Sequence, residues 1–454
     1  MTLRTVGLIW LLGIVLLISA SLAWRNSEAA GDDLQRTTVF SEGVPVDSID
    51  RLVVEIPGEE PPRSFVFELG EEGWRQVLPF DIAADGFAIR QLLVAAADLK
   101  ASRRTPISDV NAADGPGLAS LGLDPPEALI GFEGPGFRSS IELGARTVAG
   151  RSWVRIAGDD EVLVVNDDLH QRSIDDDPRN WRSRRLFSSD REISGVTIEN
   201  GATVTSLART GRRWRLSSPV DSRADALVID GLLGILGRVE HDGFIVDGDF
   251  DASRFGLADP AATITVRRDD GRTEKLIIGG PAGLVSRDRF AMIEDKPMVV
   301  RIDEATLRGL LPPVLGLIEP TGSGVRPADV KSIEITAMKD FVRLERDLDR
   351  WTIEVVRGDE RTAGLASTDY VNALIDTLTS TRGTEVVVQE FPAELALATV
   401  VFHGFDGRPL DAVRVAREGS GGRWALENGD GVLRLLPAST KIPLAANEWP
   451  ILKR

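Results

Sequence analysis

The stretch from Trp74 to Leu99 is written a second time, without a gap, 140 residues later. Trp74, Pro79, Asp81, Asp85, Ile89, Leu92, Leu93, Ala96 and Leu99 return as Trp214, Pro219, Asp221, Asp225, Ile229, Leu232, Leu233, Leu236 and Val239. A chain that uses one structural solution several times favours a scaffold or binding array over a single asymmetric catalytic cleft. In the first copy, alternating apolar positions predict strands over 52–56, 65–69 and 74–77, followed by an amphipathic helix over 85–100. Ile89, Leu92, Leu93 and Ala96 fall at i, i+3, i+4 and i+7 and make one buried stripe. Asp85 stands where an N-cap carboxylate accepts from the first turn.

The second half of the unit repeats as well, with small differences in loop length. Leu121-Gly122-Leu123-Asp124-Pro125-Pro126 corresponds to Phe255-Gly256-Leu257-Ala258-Asp259-Pro260, and Ile141-Glu142-Leu143-Gly144 to Leu276-Ile277-Ile278-Gly279, the glycines being expected in turns. Trp153, Ile156 and Val165 match Phe290, Ile293 and Ile302 at a constant offset of 137. Each unit therefore reads as three strands, a helix and about four more strands. The absence of a βαβ alternation predicts an α+β fold with largely antiparallel sheet and one main amphipathic helix per unit.

A diverged third unit begins near Pro327, after Pro312-Pro313 and the Thr321-Gly-Ser-Gly324 stretch. Trp351 takes the place of the earlier tryptophans, and Val371, Leu374, Ile375 and Leu378 rebuild the stripe. The spacing from tryptophan to the first stripe residue is 15 in the first two units and 20 here. The Gly-Leu-x-x-Pro element has decayed to Leu395-Ala396-Leu397. The expected organisation is a membrane segment at 1–24, a tether at 25–45, units at 46–190, 191–315 and 327–440, and a C-terminal tail at 441–454.

Residues 6–23 (VGLIWLLGIVLLISASLA) carry no charge, and 18 residues of helix span about 27 Å, close to the hydrocarbon thickness of a bilayer. Trp10 and Trp24 lie near the ends, where indoles favour the interface. Small-x-small sites at Ser21-Leu22-Ala23 and Ser27-Glu28-Ala29 make a cleaved signal peptide the rival reading, but the apolar run is longer than the usual h-region. Either way the rest of the chain is expected outside the cytoplasm. A net charge of −17 argues against broad nucleic-acid binding, which needs a basic surface to displace phosphate counterions. The absence of cysteine excludes disulfides, thiolate catalysis and Cys-ligated metal centres.

The tryptophan, proline and Asp-led helix, the Gly-Leu-x-x-Pro element, the strand ending in glycine and the terminal strand pair, together with the N-terminal apolar segment, resemble the domain of unknown function 4340 family over nearly the whole exported region. The resemblance implies a bacterial envelope protein of the inner membrane, single-pass, with its bulk in the periplasm. Members are often encoded beside the permease and ATPase of an ABC-type transporter and a gliding-motility-type auxiliary protein. Protein partners in such a transporter are what the resemblance implies, and it supplies no catalytic residues.

The residues themselves offer little chemistry. His170, His241 and His403 occupy non-equivalent places without metal spacing and read as surface or loop histidines. Gly115-Pro116-Gly117 and Gly279-Gly280-Pro281 lack the Gly-Lys-Ser/Thr ending of a phosphate loop and read as turns. Asp167, Asp168 and Asp175-Asp176-Asp177 could suggest a hard cation, but calcium-loop spacing is absent, and Arg179, Arg182, Arg184 and Arg185 follow at once, so a charge-paired linker is expected. Asp81/Asp221 and Asp85/Asp225 recur and could act as paired acids. Their place between strand and helix start predicts loop and cap roles instead. Trp74, Trp214 and Trp351 read as core, with sugar stacking as the alternative. The expectation is a non-enzymatic scaffold or accessory subunit of an ABC-type envelope transport system, without cofactor or metal. An envelope polysaccharide- or peptidoglycan-binding module is the alternative, and a hydrolase using acidic residues is the weaker one.

Overall fold

The structure is a computed structural model that describes residues 37–40, 43–58, 62–147, 150–175, 177–188, 191–419 and 421–452. The expected membrane segment at 6–23 and most of the tether lie outside the described residues. Among the described residues no helix is long and apolar enough to cross a membrane. The chain divides into two compact units between Arg184 and Arg185.

The first unit holds one nine-stranded sheet. Its strands are β1 (Arg51–Ile56), β2 (Arg63–Gly70), β3 (Gly73–Leu78), β4 (Ile82–Ala83), β5 (Arg103–Pro106), β6 (Ala128–Gly134), β7 (Phe137–Thr147), β8 (Arg151–Ile156) and β9 (Glu161–Asn166), with helix α1 (Gly86–Ala97) between β4 and β5. The order across the sheet is β4-β3-β2-β1-β6-β7-β8-β9-β5, and every pairing is antiparallel. The helix therefore connects one edge of the sheet to the other. Its stripe Ile89, Leu92, Leu93 and Ala96 is fully buried against Leu52, Val54, Phe67, Phe132 and Leu143, as the spacing predicts. The helix ends three residues before the expected Lys100, where the chain turns into a short pairing of Lys100–Ala101 with Thr37–Thr38.

The second unit holds two sheets. The first of them repeats the same order with β10 (Ile193–Asn200), β11 (Thr203–Thr210), β12 (Arg213–Ser218), β13 (Ser222–Arg223), α2 (Ala226–Leu236), β14 (Gly243–Asp247), β15 (Ala262–Arg268), β16 (Thr273–Pro281), β17 (Arg289–Ile293) and β18 (Met298–Ile302). These pair as β13-β12-β11-β10-β15-β16-β17-β18-β14. The diverged repeat contributes β19 (Ser332–Ala337), β20 (Asp340–Asp347), β21 (Arg350–Arg357), β22 (Glu360–Ala366), α3 (Thr368–Thr379), β23 (Glu385–Val388), β24 (Ala396–His403), β25 (Pro409–Arg417), β26 (Trp424–Glu427), β27 (Val432–Leu436) and β28 (Ile451–Leu452). Its order, β28-β22-β21-β20-β19-β24-β25-β26-β27-β23, is the same with one strand added at the edge. The five extra residues after Trp351 are accounted for: the two-residue edge strand of the earlier repeats becomes the seven-residue β22, hairpinned onto β21.

The strand after each helix escaped the sequence reading. Arg103–Pro106, Gly243–Asp247 and Glu385–Val388 are short, lie at the far edge and carry no clean alternation. The expected glycine turns are only half correct. Gly122 and Gly256 do end short 3-10 helices with φ of 68° and 66°, a left-handed conformation glycine adopts without Cβ strain. Gly144 and Gly279, with Gly280 and Pro281, sit inside strands rather than turns. A Cβ at Gly144 would meet the Leu121 carbonyl oxygen at 2.4 Å, and one at Gly279 the Phe255 oxygen at 2.3 Å, so these glycines permit close approach of the turn to the sheet.

Each repeat ends in a strap that returns to the residue before the helix N-cap. A short 3-10 helix leads to a pairing of Arg182 with Ala84 in the first repeat, of Ile318 with Ala224 in the second and of Ile451 with Ala366 in the third. The straps bury Trp181, Leu317 and Trp449. Of the residues expected as a tail at 441–454, those described, 441–452, supply this strap: Ile442, Leu444, Ala446 and Trp449 belong to the third core, and the Ala446 amide donates to Asp340 at 2.9 Å.

The three repeat tryptophans share a register position but not an environment. Trp351 is 3% exposed within the third core, whereas Trp74 is half-buried at the margin of the first core and Trp214 is half-buried in the wall of a cleft. Leu233, expected in the stripe, is likewise half-buried. The expectation that Trp214 and Leu233 are fully buried is thereby corrected: both are only half-buried and line a cleft.

Trp351→Ala should therefore destabilise the second unit by about 3–5 kcal/mol in urea unfolding, and Trp214→Ala by clearly less, since much of the indole leaves no cavity when removed. Ending the chain at residue 440 uncovers four buried side chains and should cost about 5 kcal/mol or more by the same measurement. A tail without structural role would leave the midpoint unchanged.

Candidate functional site

The residues singled out in sequence are dispersed, and most are satisfied locally. His170 is fully buried with Nε2 2.7 Å from the Gly144 carbonyl oxygen, and His241, in the loop between α2 and β14, is buried edge-on to Phe244 at 4.5 Å between ring centroids, so neither is a surface histidine and only His241 is a loop one. His403 is partly buried, its Nε2 3.4 Å from Glu334. Asp81 pairs with Arg75 at 2.7 Å and Asp221 with Arg215 at 2.5 Å, the same ion pair in two repeats. The Arg215 hydrogen bond holds the Asp221 carboxyl below its usual range. Asp85 caps α1 by accepting from the Phe87 and Ala88 amides, and Asp225 caps α2 by accepting from Leu227. Asp177 caps the 3-10 helix at Pro178–Trp181 and binds Arg179. Burial opposes ionisation of Asp177, yet the Arg179 hydrogen bonds prevail and lower its pKa. Among the described residues no group of acidic and histidine side chains could hold a metal ion.

A cleft of about 1360 Å³ lies in the second unit. One wall is the β11–β12 hairpin with Trp214 and the Ala226, Asp230, Leu233 and Gly237 face of α2. The other is the segment around Thr321 to Asp329, the start of β25 with Asp411, and the bend holding Asp430. Here the second and third repeats meet.

At its floor lies a charge network that the sequence reading missed. Arg434, fully buried, donates from both Nη atoms to Asp430 at 2.6 and 3.0 Å, from Nε to the Glu319 carbonyl at 2.9 Å, from Nη1 to the Val432 carbonyl at 2.9 Å and from Nη2 to Ser222 at 3.1 Å. Ser222 in turn donates to Asp430 at 2.6 Å. All five N–H groups of the guanidinium are thus used, which makes its burial tolerable. Next to it Arg223 donates to Asp411 at 3.2 Å and to the Thr321 carbonyl at 2.8 Å, while Ser323 also donates to Asp411 at 2.7 Å. Asn428, with its amide oriented to satisfy both ends, links the two pairs through Arg223 and Asp430. Gly324 is kept free of a side chain because a Cβ would lie 2.9 Å from Arg223. Arg382 of the third repeat binds the second oxygen of the cap residue Asp225.

Burial alone would raise the Asp430 pKa, but the Arg434 fork outweighs it and holds the carboxyl below its ordinary range. Burial and the neighbouring Arg434 charge lower the Arg223 pKa as well, which for an arginine disfavours the charged form, despite Asp411 and Asp430. One signal in sequence could have pointed here: an arginine in the middle of the apolar run Val432-Leu-Arg-Leu-Leu436. The partner positions Ser222 and Arg223 are Ile82 and Ala83 in the first repeat. The exchange of apolar for polar residues marks where the second repeat faces the third.

Asp430→Ala should destabilise the second unit by about 3–5 kcal/mol, because it leaves a buried guanidinium uncompensated. A carboxylate with a lowered folded pKa stabilises above its unfolded pKa of about 3.9 and loses that contribution as pH falls through the folded value. The stability gap between parent and Asp430→Asn, measured by urea unfolding, should therefore be present at pH 7 and shrink only below about pH 4.

Two solved structures align along most of the chain at low similarity. The DNA polymerase sliding clamp from Pseudomonas aeruginosa shares 11% identity over 87% of this chain and 92% of its own, with a TM-score of 0.14. The DNA polymerase III subunit beta from Borrelia burgdorferi shares 7% over 91% and 96%, with a TM-score of 0.15. Likeness at this level carries no argument about fold or function. Comparison with curated proteins yields no match. The family model described as Domain of unknown function (DUF4340) matches twice, over residues 74–213 and 214–399, each match opening on a repeat tryptophan, and the chain belongs to this family.

Proposed function

We propose that the chain is a non-catalytic scaffold or accessory subunit of an ABC-type transport system in a bacterial inner membrane, anchored through residues 6–23 with its bulk in the periplasm. The observation that carries this reading is the use of charge in the second unit. The carboxylates and arginines at the cleft floor are spent on one another and join two repeats, which suits a platform that must hold its shape while partners dock. The recurring acids Asp81 and Asp221 are committed to Arg75 and Arg215, and Asp85 and Asp225 to helix caps, so the hydrolase reading draws no support from them. Open sheet edges such as β23 offer backbone groups to a partner strand.

A second reading, an envelope polysaccharide-binding module, is favoured by one observation: Trp214 stands half-buried in the wall of a large open cleft.

Purification of the full chain in gentle detergent with identification of co-purifying proteins tests the first reading. Recovery of a permease or ATPase component at a fixed ratio is the expected result. Loss of every such component across several detergents, with saturable glycan binding by the same preparation, replaces it with the second.

A further inference from the structure

We propose that the cleft of the second unit binds a short anionic oligosaccharide, with Arg212 and Arg213 gripping its carboxylates and Trp214 receiving a sugar face. The proposal rests on the polysaccharide-binding reading and is independent of the transporter reading.

The argument starts from charge. The chain carries −17 overall, yet the cleft is lined by eight arginines against seven carboxylates. Five of those carboxylates are already tied to arginines: Glu192 to Arg209, Asp221 to Arg215, Asp329 to Arg326, Asp411 to Arg223 and Asp430 to Arg434. Glu319 stands close enough to Arg223 to stabilise its charge, which leaves Asp230 on the helix wall. Arg191, Arg212 and Arg213, by contrast, are exposed; Arg191 lies near enough to Asp270 to favour its ionised form, and the side chains of Arg212 and Arg213 have no partner among the described residues.

Strand register brings these three together. Gly195 lies opposite Ala208 and Thr210 opposite Arg213, so the start of β10 and the β11–β12 turn reach the same end of the sheet. The first repeat places Glu71-Glu72-Gly73 where this one has Gly211-Arg212-Arg213. The basic turn is therefore not something the fold requires. It occurs in the one repeat whose tryptophan borders the cleft.

Size and wall chemistry select the ligand. A volume of about 1360 Å³ exceeds the roughly 300–1,000 Å³ of a drug-sized pocket and suits an extended oligomer. Guanidinium forks match carboxylates bidentately, and an aromatic face packs against the apolar face of a sugar ring. A nucleic-acid duplex, with one charge about every 1.7 Å of axis, meets more repulsion from the acidic chain than a glycan with one charge per ring; against a single strand of similar charge density it is the fit of carboxylate to guanidinium and of sugar face to indole that selects the glycan.

The test titrates the full chain in detergent with hexagalacturonate, with neutral maltohexaose and a six-nucleotide single-stranded DNA alongside, following tryptophan fluorescence and heat. Hexagalacturonate should bind saturably and weaken with added salt. Arg212→Glu/Arg213→Glu should reduce its affinity about tenfold or more, while the charge-matched Arg138→Glu/Lys339→Glu leaves it unchanged. Both doublets lie on the surface, and an unaltered urea midpoint checks that each variant is folded. Hexagalacturonate binding that survives Arg212→Glu/Arg213→Glu overturns the site but keeps the polysaccharide reading. Binding of the DNA alone, or of none of the three probes, overturns both.

Discussion

One helix has to cross the apolar face of each sheet, from one edge to the other, and everything else in the repeat serves that crossing. The stripe on α1, on α2 and on α3 buries three or four side chains under the strands. A helix of 11 or 12 residues is too short to be stable alone, so its place comes from packing and from its ends. In the first two repeats the N-terminus is fixed by an Asp side chain. In all three, the returning strap pairs with the alanine just before the cap. The strap also inserts Trp181, Leu317 or Trp449 beside the helix start, sealing the edge that a nine-stranded sheet would otherwise leave open.

Where the repeats differ, they differ in what they face. The first repeat has Ile82 at the strand before the cap, an apolar residue that is buried. The second has Ser222 and Arg223 there, and these reach Asp430, Asp411 and Arg434 of the third repeat. A buried network of this kind is weak evidence for added stability, since desolvation offsets much of the attraction. Its value lies in geometry: five donors on Arg434 with five fitted acceptors admit one arrangement of the two repeats and penalise any slip. The same meeting of repeats leaves a cleft beside the network, and with it Trp214 and Leu233 change from core residues to wall residues.

The functional readings divide along this line. A platform needs the lock, and a glycan site needs the unpaired arginines at its rim. The two are compatible because they use different residues of the same cleft.

Periodicity carried most of the fold. The α+β class, the antiparallel pairing, the three helix stripes, the Asp85 and Asp225 caps and the family were legible because they depend on local spacing, which repetition in sequence makes visible twice over. The edge strands after each helix were not legible, since a four- or five-residue strand at an edge needs neither alternation nor apolar character. Gly144 and Gly279 were misread as turn residues because close approach between a strand and a distant turn leaves the same letter in the sequence as a tight bend. The strap at the C-terminus looked like a tail, for its partner Ala366 lies 85 residues earlier in the chain. His170 and His241 looked exposed until tertiary contacts buried them. The charge network and the cleft belong wholly to the tertiary structure: Ser222 lies 208 residues from Asp430 and 212 from Arg434, and only the docking of one repeat on the next brings them to hydrogen-bond distances of 2.6 and 3.1 Å.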